Sequence, residues 1–272
     1  MTFFESVILG VVQGLTEFLP ISSDGHLALT YRLMGRAPSL SFEVFLHAAT
    51  LLAMFWYFRA DVWHLLSSLL PRNAERKADR KLVAFIMLAT AISAVIALVL
   101  SPHLENLSEN MVAVAGGFFL TTILLVVAEA FSHGVSRIES PDRLQTLPVA
   151  VIAVLQGLAA LPGVSRSGST IAGSMLFGLR RDEAARFSFL LGIPIITLAA
   201  AKDGFDVLQG ASQLQGSIPV LAAGFVASGV AGYLAIWGLL RFVKHHRLYW
   251  FAAYTGVLGT VILVLNSTLG RG

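Results

Sequence analysis

Two short polar stretches interrupt an otherwise apolar chain. The first reads Gln13-Gly-Leu-Thr-Glu17-Phe-Leu-Pro20-Ile-Ser22-Ser23-Asp24-Gly25-His26, and the second Pro162-Gly163-Val164-Ser165-Arg166-Ser167-Gly168-Ser169-Thr170. Gln13 and Glu17 are four residues apart and share one face of a helix that runs into a Pro-Ser break. In the second stretch, Gly163, Ser165, Ser167, Gly168 and Thr170 allow a tight turn into a new helix. The first backbone N–H groups of that helix are unpaired and point at whatever lies ahead. A helix start with hydroxyls and a guanidinium, which can grip two phosphate oxygens at once, favours an anion. Together the stretches hold the parts of a phosphoryl-transfer site: a nucleophile in Ser23 or His26, a base in Glu17 or His26, and donors for phosphoryl oxygens around Arg166. Each alone has an ordinary reading, a structural ion pair for Glu17 and a helix cap for the Ser-Gly turn. Their pairing argues for chemistry.

Glu43 and His47, again four apart, form a further polar face at the start of the next apolar run. Glu43 is read as a supporting residue behind the site or along a substrate channel, and a plain helix-surface hydrogen bond explains the pair equally well.

The elements that must position these residues lie in a bilayer. Of 272 residues, 56% are hydrophobic and 13% charged, and the mean hydropathy is +0.76. Apolar runs of about twenty residues are long enough to cross a hydrocarbon core of roughly 30 Å. Six read as full transmembrane helices: 39–57, 82–101, 111–131, 185–201, 218–240 and 249–267. Segments 3–30 and 147–179 are broken in the middle, which is tolerated at membrane depth only where the backbone is buried in protein or lines a wet cavity. They read as re-entrant helix pairs. The net charge of +3 does not point to nucleic acid, because the Lys and Arg residues sit in short loops, where they orient the chain. The loops 58–81, 137–143, 180–186 and 241–247 are basic and therefore cytoplasmic, while 102–110 and 202–217 are nearly free of positive charge and lie outside. There is no cysteine, which excludes thiolate chemistry, and the N-terminus has no basic stretch typical of a removable signal peptide.

The broken segments resemble each other. Val11-Val-Gln-Gly-Leu15 matches Val154-Leu-Gln-Gly-Leu158, and after a one-residue gap Leu19, Pro20 and Ser23 match Leu161, Pro162 and Ser165. The expected fold is thus an all-α membrane protein with an inverted-topology repeat: 1–131 as the first repeat, 132–272 as the second, in one compact membrane domain. The two re-entrant pairs then meet near the midplane. Transporters share such plans, so a transport function is the alternative, separable by phosphate release without a second compartment.

The motifs Gln13-x-x-x-Glu17, Phe-Leu-Pro-Ile-Ser-Ser-x-Gly-His and Pro-Gly-Val-Ser-Arg-Ser-Gly-Ser-Thr resemble those of the undecaprenyl-diphosphate phosphatase family, also called the bacitracin-resistance family. The resemblance runs the whole chain. It implies hydrolysis of a polyprenyl diphosphate, undecaprenyl diphosphate, in the bacterial cytoplasmic (inner) membrane. It also implies a site opening to the periplasmic side and a divalent cation, Mg²⁺ or Ca²⁺, for which Glu17 is the candidate ligand. It further implies a catalytic set of Glu17, Ser23, His26 and Arg166, with Ser22, Ser165 and Thr170 supporting phosphate binding and Gln13 at the variable first position. Whether Ser23 or His26 attacks stays open, as does assembly as a homodimer.

Overall fold

The computed structural model describes residues 1–73, 75–132, 138–209 and 217–269. Among these, eleven α-helices account for nearly all of the chain, with no strand. They are α1 (Phe3–Phe18), α2 (Ser23–Leu33), α3 (Leu40–Tyr57), α4 (Arg59–Ser68), α5 (Lys77–Glu109), α6 (Met111–Phe131), α7 (Thr146–Leu158), α8 (Arg166–Leu176), α9 (Arg181–Leu208), α10 (Ile218–His245) and α11 (Tyr249–Leu269). Helices α5, α6, α9, α10 and α11 are long and apolar enough to cross a membrane. A sixth span exists if α3 and α4, bent by 71° at their junction, count as one. The protein is thus a multi-pass membrane protein with five or six candidate spans among the described residues.

Three connections differ from the sequence expectation. Segment 102–110 is not a loop: α5 continues through Pro102 to Glu109 and is 33 residues long. At 1.5 Å per residue that is roughly 50 Å, well beyond the hydrocarbon thickness, so its polar last turns stand clear of lipid. Asn110 alone joins it to α6, its side chain accepting from the N–H groups of Val112 and Ala113. Segment 202–208 likewise stays helical as the end of α9. Within 58–81, α4 and the start of α5 take up much of the expected loop. Residue 137 and residues 210–216 of the other expected loops lie outside the described residues.

Small residues set the packing that brings the broken segments inward. Gly10 and Gly14 on α1 face Gly224, Ser228 and Gly232 on α10. A Cβ at Gly10 would strike the Gly224 carbonyl, and one at Gly14 the Ser228 carbonyl. Two helices in lipid gain contact by this close backbone approach, since apolar burial alone does not favour association there. Ser6 donates to the Val220 carbonyl at 2.5 Å, and Ser228 donates to the Leu46 carbonyl at 3.0 Å, tying α10 to α3. The second pair is held differently: α7 packs on α5, with Ser93 donating to the Ala153 carbonyl at 2.8 Å. Below the first break, Phe18 meets Phe189 edge-on at 5.8 Å, and Phe58 lies 5.8 Å from Phe189.

Candidate functional site

Both broken segments fold in the same way. Helix α1 ends at Phe18, residues 19–21 turn, and Ser22 caps α2 by accepting from the Gly25 N–H; helix α7 ends at Leu158, the longer stretch 159–164 turns, and Ser165 caps α8 by accepting from the Gly168 N–H. Matched by their caps, Ser22 corresponds to Ser165 and Ser23 to Arg166, one residue away from the register the serines suggest in sequence. The two side chains with the most chemistry, Ser23 and Arg166, therefore hold the same place: the first residue of the second helix, at the positive end of its dipole.

These two residues meet on one carboxylate. Ser23 Oγ donates to Glu17 Oε2 at 2.7 Å, Arg166 Nη2 donates to Glu17 Oε1 at 2.9 Å, and Gln13 Nε2 donates to Glu17 Oε2 at 3.1 Å. The side chains of Glu17 and Arg166 are 7% and 14% exposed. The Gln13 amide is oriented by this contact, because its oxygen turned toward Glu17 would oppose a carboxylate. An acidic or basic residue at the bilayer centre costs about 2.5–3.5 kcal/mol on insertion scales, and here each charge is offset by the other.

His26 sits apart from this cluster. Its Nδ1 donates to the Ser22 carbonyl at 2.6 Å, and its Nε2 therefore accepts from the Tyr254 hydroxyl at 2.8 Å. The ring stacks on Tyr254, with centroids 5.6 Å apart, and meets Phe118 edge-on. Both nitrogens are engaged, and neither partner is Ser23 or Glu17. The histidine beside the cluster is His47, whose Nε2 is 3.7 Å from Glu17 Oε2 and whose side chain is 25% exposed. Its Nδ1 donates to the Glu43 carbonyl at 2.9 Å, so the main chain of Glu43 orients the ring.

Three hydroxyls of the second break, those of Ser165, Ser167 and Thr170, are spent on holding it, while Ser169 Oγ is buried without a hydrogen-bond partner. Ser165 Oγ accepts from Gly168 and lies 3.2 Å from Ser167 Oγ, while Ser167 Oγ donates across to the Leu19 carbonyl at 2.9 Å. Thr170 Oγ1 bonds the Arg166 carbonyl at 2.9 Å and the Ser188 hydroxyl at 2.6 Å. These groups join the two breaks and fix the start of α8; they do not point at Glu17. Gly163 turns the chain at φ +81° against the Val114 carbonyl, where no side chain fits. Thr121 on α6 accepts the Ser165 N–H at 2.9 Å.

Sequence reasoning left Tyr254, Thr121 and Ser188 unmarked. Each is a hydroxyl within a mainly apolar helix, with no motif around it that indicates which way it faces. His47 carried a signal, its spacing from Glu43, but nothing in the spacing indicates that it faces Glu17.

Ser22 is the only non-glycine residue at positive φ among those described, with φ 71° and ψ 106°. Ser22→Ala loses the cap, about 1 kcal/mol, and keeps the backbone strain. Ser22→Gly also loses the cap but relieves the strain, about 1–3 kcal/mol. The glycine variant is expected to unfold at a higher temperature than the alanine variant in detergent; the reverse order would mean that the backbone here is unstrained.

The donor set does not fit a cation site of its own. Among the described residues no group of three or more His, Asp or Glu side chains is placed to hold a metal ion. The one central carboxylate already has Arg166 on one oxygen and Ser23 and Gln13 on the other. Ca²⁺ takes about six to eight oxygen ligands and Mg²⁺ about six, so waters and the phosphate oxygens of a substrate would have to supply most of them.

Comparison with known proteins identifies the family. The family model described as bacitracin resistance protein BacA matches residues 6–261. The chain is 33% identical to an undecaprenyl-diphosphatase of Methanosphaera stadtmanae, over 99% of this chain and 100% of that protein. It is 35% identical to one from Mycobacterium sp. strain KMS, over 98% of each. It is 37% identical to undecaprenyl-diphosphatase 1 of Chromobacterium violaceum, over 96% of this chain and 95% of the other. With the match running through both breaks and nearly all the spans, the chain belongs to the BacA bacitracin-resistance family.

Proposed function

We propose that the protein hydrolyses undecaprenyl diphosphate to undecaprenyl phosphate and phosphate, recycling the lipid that carries peptidoglycan precursors and so conferring bacitracin resistance. The observation that carries this reading is the Glu17 carboxylate, which receives the Ser23 hydroxyl from one broken segment and the Arg166 guanidinium from the other. The full-length likeness to proteins named undecaprenyl-diphosphatase supports the substrate.

In the reaction, Ser23 Oγ attacks the terminal phosphorus while its proton passes to Glu17 Oε2. The Oγ–P bond forms and the anhydride P–O bond breaks. The lipid phosphate leaves as a monoester whose second pKa is about 6, so its departure at neutral pH requires no proton donor. Water then attacks the phosphoserine: its oxygen bonds phosphorus, its protons stay with the released phosphate, and Glu17 returns its proton to the departing Ser23 Oγ. Arg166 and the N–H groups at the starts of α2 and α8 stabilise charge on the phosphoryl oxygens. The engagement of both His26 nitrogens supports Ser23 over His26 as nucleophile. The divalent cation is proposed as a counter-ion that the diphosphate brings with it; no step passes through it. The polyprenyl tail stays in lipid, and only the headgroup enters.

The inverted repeat is part of this proposal. It is supported by the matching caps and by an exchange of partners: α1 packs on α10 of the other half, and α7 packs on α5 of the first. Basic residues at the starts of α5 (Lys77, Arg80, Lys81) and α9 (Arg180, Arg181) and at the end of α10 (Arg241, Lys244) support a cytoplasmic location for those ends. The site would then open to the periplasmic face of the inner membrane. Purified protein in detergent is expected to release phosphate from undecaprenyl diphosphate, and Glu17→Ala to release none above background. Movement of the lipid across liposomes without hydrolysis would establish the transport reading instead.

A further inference from the structure

Arg166 reaches Glu17 through a space that one glycine keeps open. Its Nη2 holds Glu17, and its Nη1 is buried with no hydrogen-bond partner. That side of the guanidinium lies against Gly192, in the middle of α9. A Cβ built on Gly192 would collide with Nη1, stand 3.0 Å from Cζ and stand 3.4 Å from Nη2.

Glycine inside a transmembrane helix usually has another explanation, close approach of two backbones. Gly10 and Gly14 show that pattern, each meeting a carbonyl oxygen of α10. At Gly192 the three nearest atoms all belong to the Arg166 side chain, and none is backbone. No positive φ calls for glycine here either, since among the described residues only Ser22, Gly35, Gly163 and Gly178 are in that region. A mid-helix glycine is disfavoured relative to alanine, so helix formation does not explain its presence.

We propose that Gly192 is a positioning residue of the phosphatase, whose missing side chain lets the Arg166 guanidinium lie flat beside α9 and meet Glu17. This rests on the function proposed above. An added methyl meets only the end of a flexible side chain, so the fold tolerates it and the guanidinium moves. A misplacement of about 1 Å in a catalytic group costs roughly a hundredfold in rate.

Gly192→Ala is therefore expected to lower kcat for undecaprenyl diphosphate between about tenfold and a hundredfold, with the melting temperature lowered by part of the amount that Arg166→Ala lowers it. Gly238→Ala on α10, where nothing lies within 4 Å of the added methyl, serves as control and keeps wild-type kcat. A second readout needs no activity. Arg166→Ala lowers the melting temperature in the Gly192 protein through loss of its contact with Glu17, and that drop is expected to shrink by half or more in the Gly192→Ala background. Equal drops in both backgrounds, or unchanged kcat in Gly192→Ala, would overturn the assignment. A wild-type protein that releases no phosphate, yet shows the shrunken drop, would sink the phosphatase reading and leave the Gly192–Arg166 contact standing.

Discussion

Ser23→Ala is expected to reduce phosphate release by about three orders of magnitude or more while leaving the fold and its melting temperature nearly intact. The hydroxyl makes one hydrogen bond, to Glu17, and packs nothing else in place. His26→Gln should behave differently. His26 braces the strained turn at Ser22 and stacks on Tyr254, so its loss slackens the break and lowers kcat by about tenfold, or 1.4 kcal/mol. Chemistry of the trapped intermediate provides a second check. A phosphoserine survives acid, whereas a phosphohistidine does not. An acid-labile phosphoenzyme, or a His26 variant as inactive as Ser23→Ala, would transfer the nucleophile's role to His26.

The Arg166→Ala variant is expected to lose both stability and activity, for separable reasons. Removing the guanidinium leaves the Glu17 carboxylate buried without its ion-pair partner, a change that typically costs about 3–5 kcal/mol. It also removes a fixed donor to developing phosphoryl charge, worth about 10²–10³ in kcat. Adding Glu17→Gln to Arg166→Ala removes the stranded charge, so the double variant should recover most of the lost melting temperature and remain inactive. A double variant less stable than either single one would mean that the pair does not share its charge as the 2.9 Å contact indicates.

Much of this was legible in the sequence, for identifiable reasons. Charged residues are costly in lipid, so Glu17 and Arg166 stood out against their surroundings, and Pro20 and Pro162 marked the places where a helix must break. The meeting of the two breaks followed from their likeness and opposite charge flanks. The ends of α5 and α9 were not legible, because polar helical residues beyond the bilayer look like loop residues when hydropathy is the guide. Nor was the division of labour among hydroxyls. Ser165, Ser167 and Thr170 look like phosphate ligands in a Ser-Gly turn, but which oxygen caps, which crosses to Leu19 and which meets Ser188 depends on helix packing. His47 and Tyr254 approach the two breaks from α3 and α11, and no local pattern indicates which way they face.

The Glu17–Arg166 contact spans 149 positions of the chain. A ribosome adding roughly 5–20 residues per second takes about 7–30 s to travel that distance. During that interval the leading hairpin carries its acid without the guanidinium that later pairs with it. The newborn first half has no comfortable resting place in hydrocarbon, and its tip must wait near water or the insertion machinery until the second half is translated and supplies the arginine.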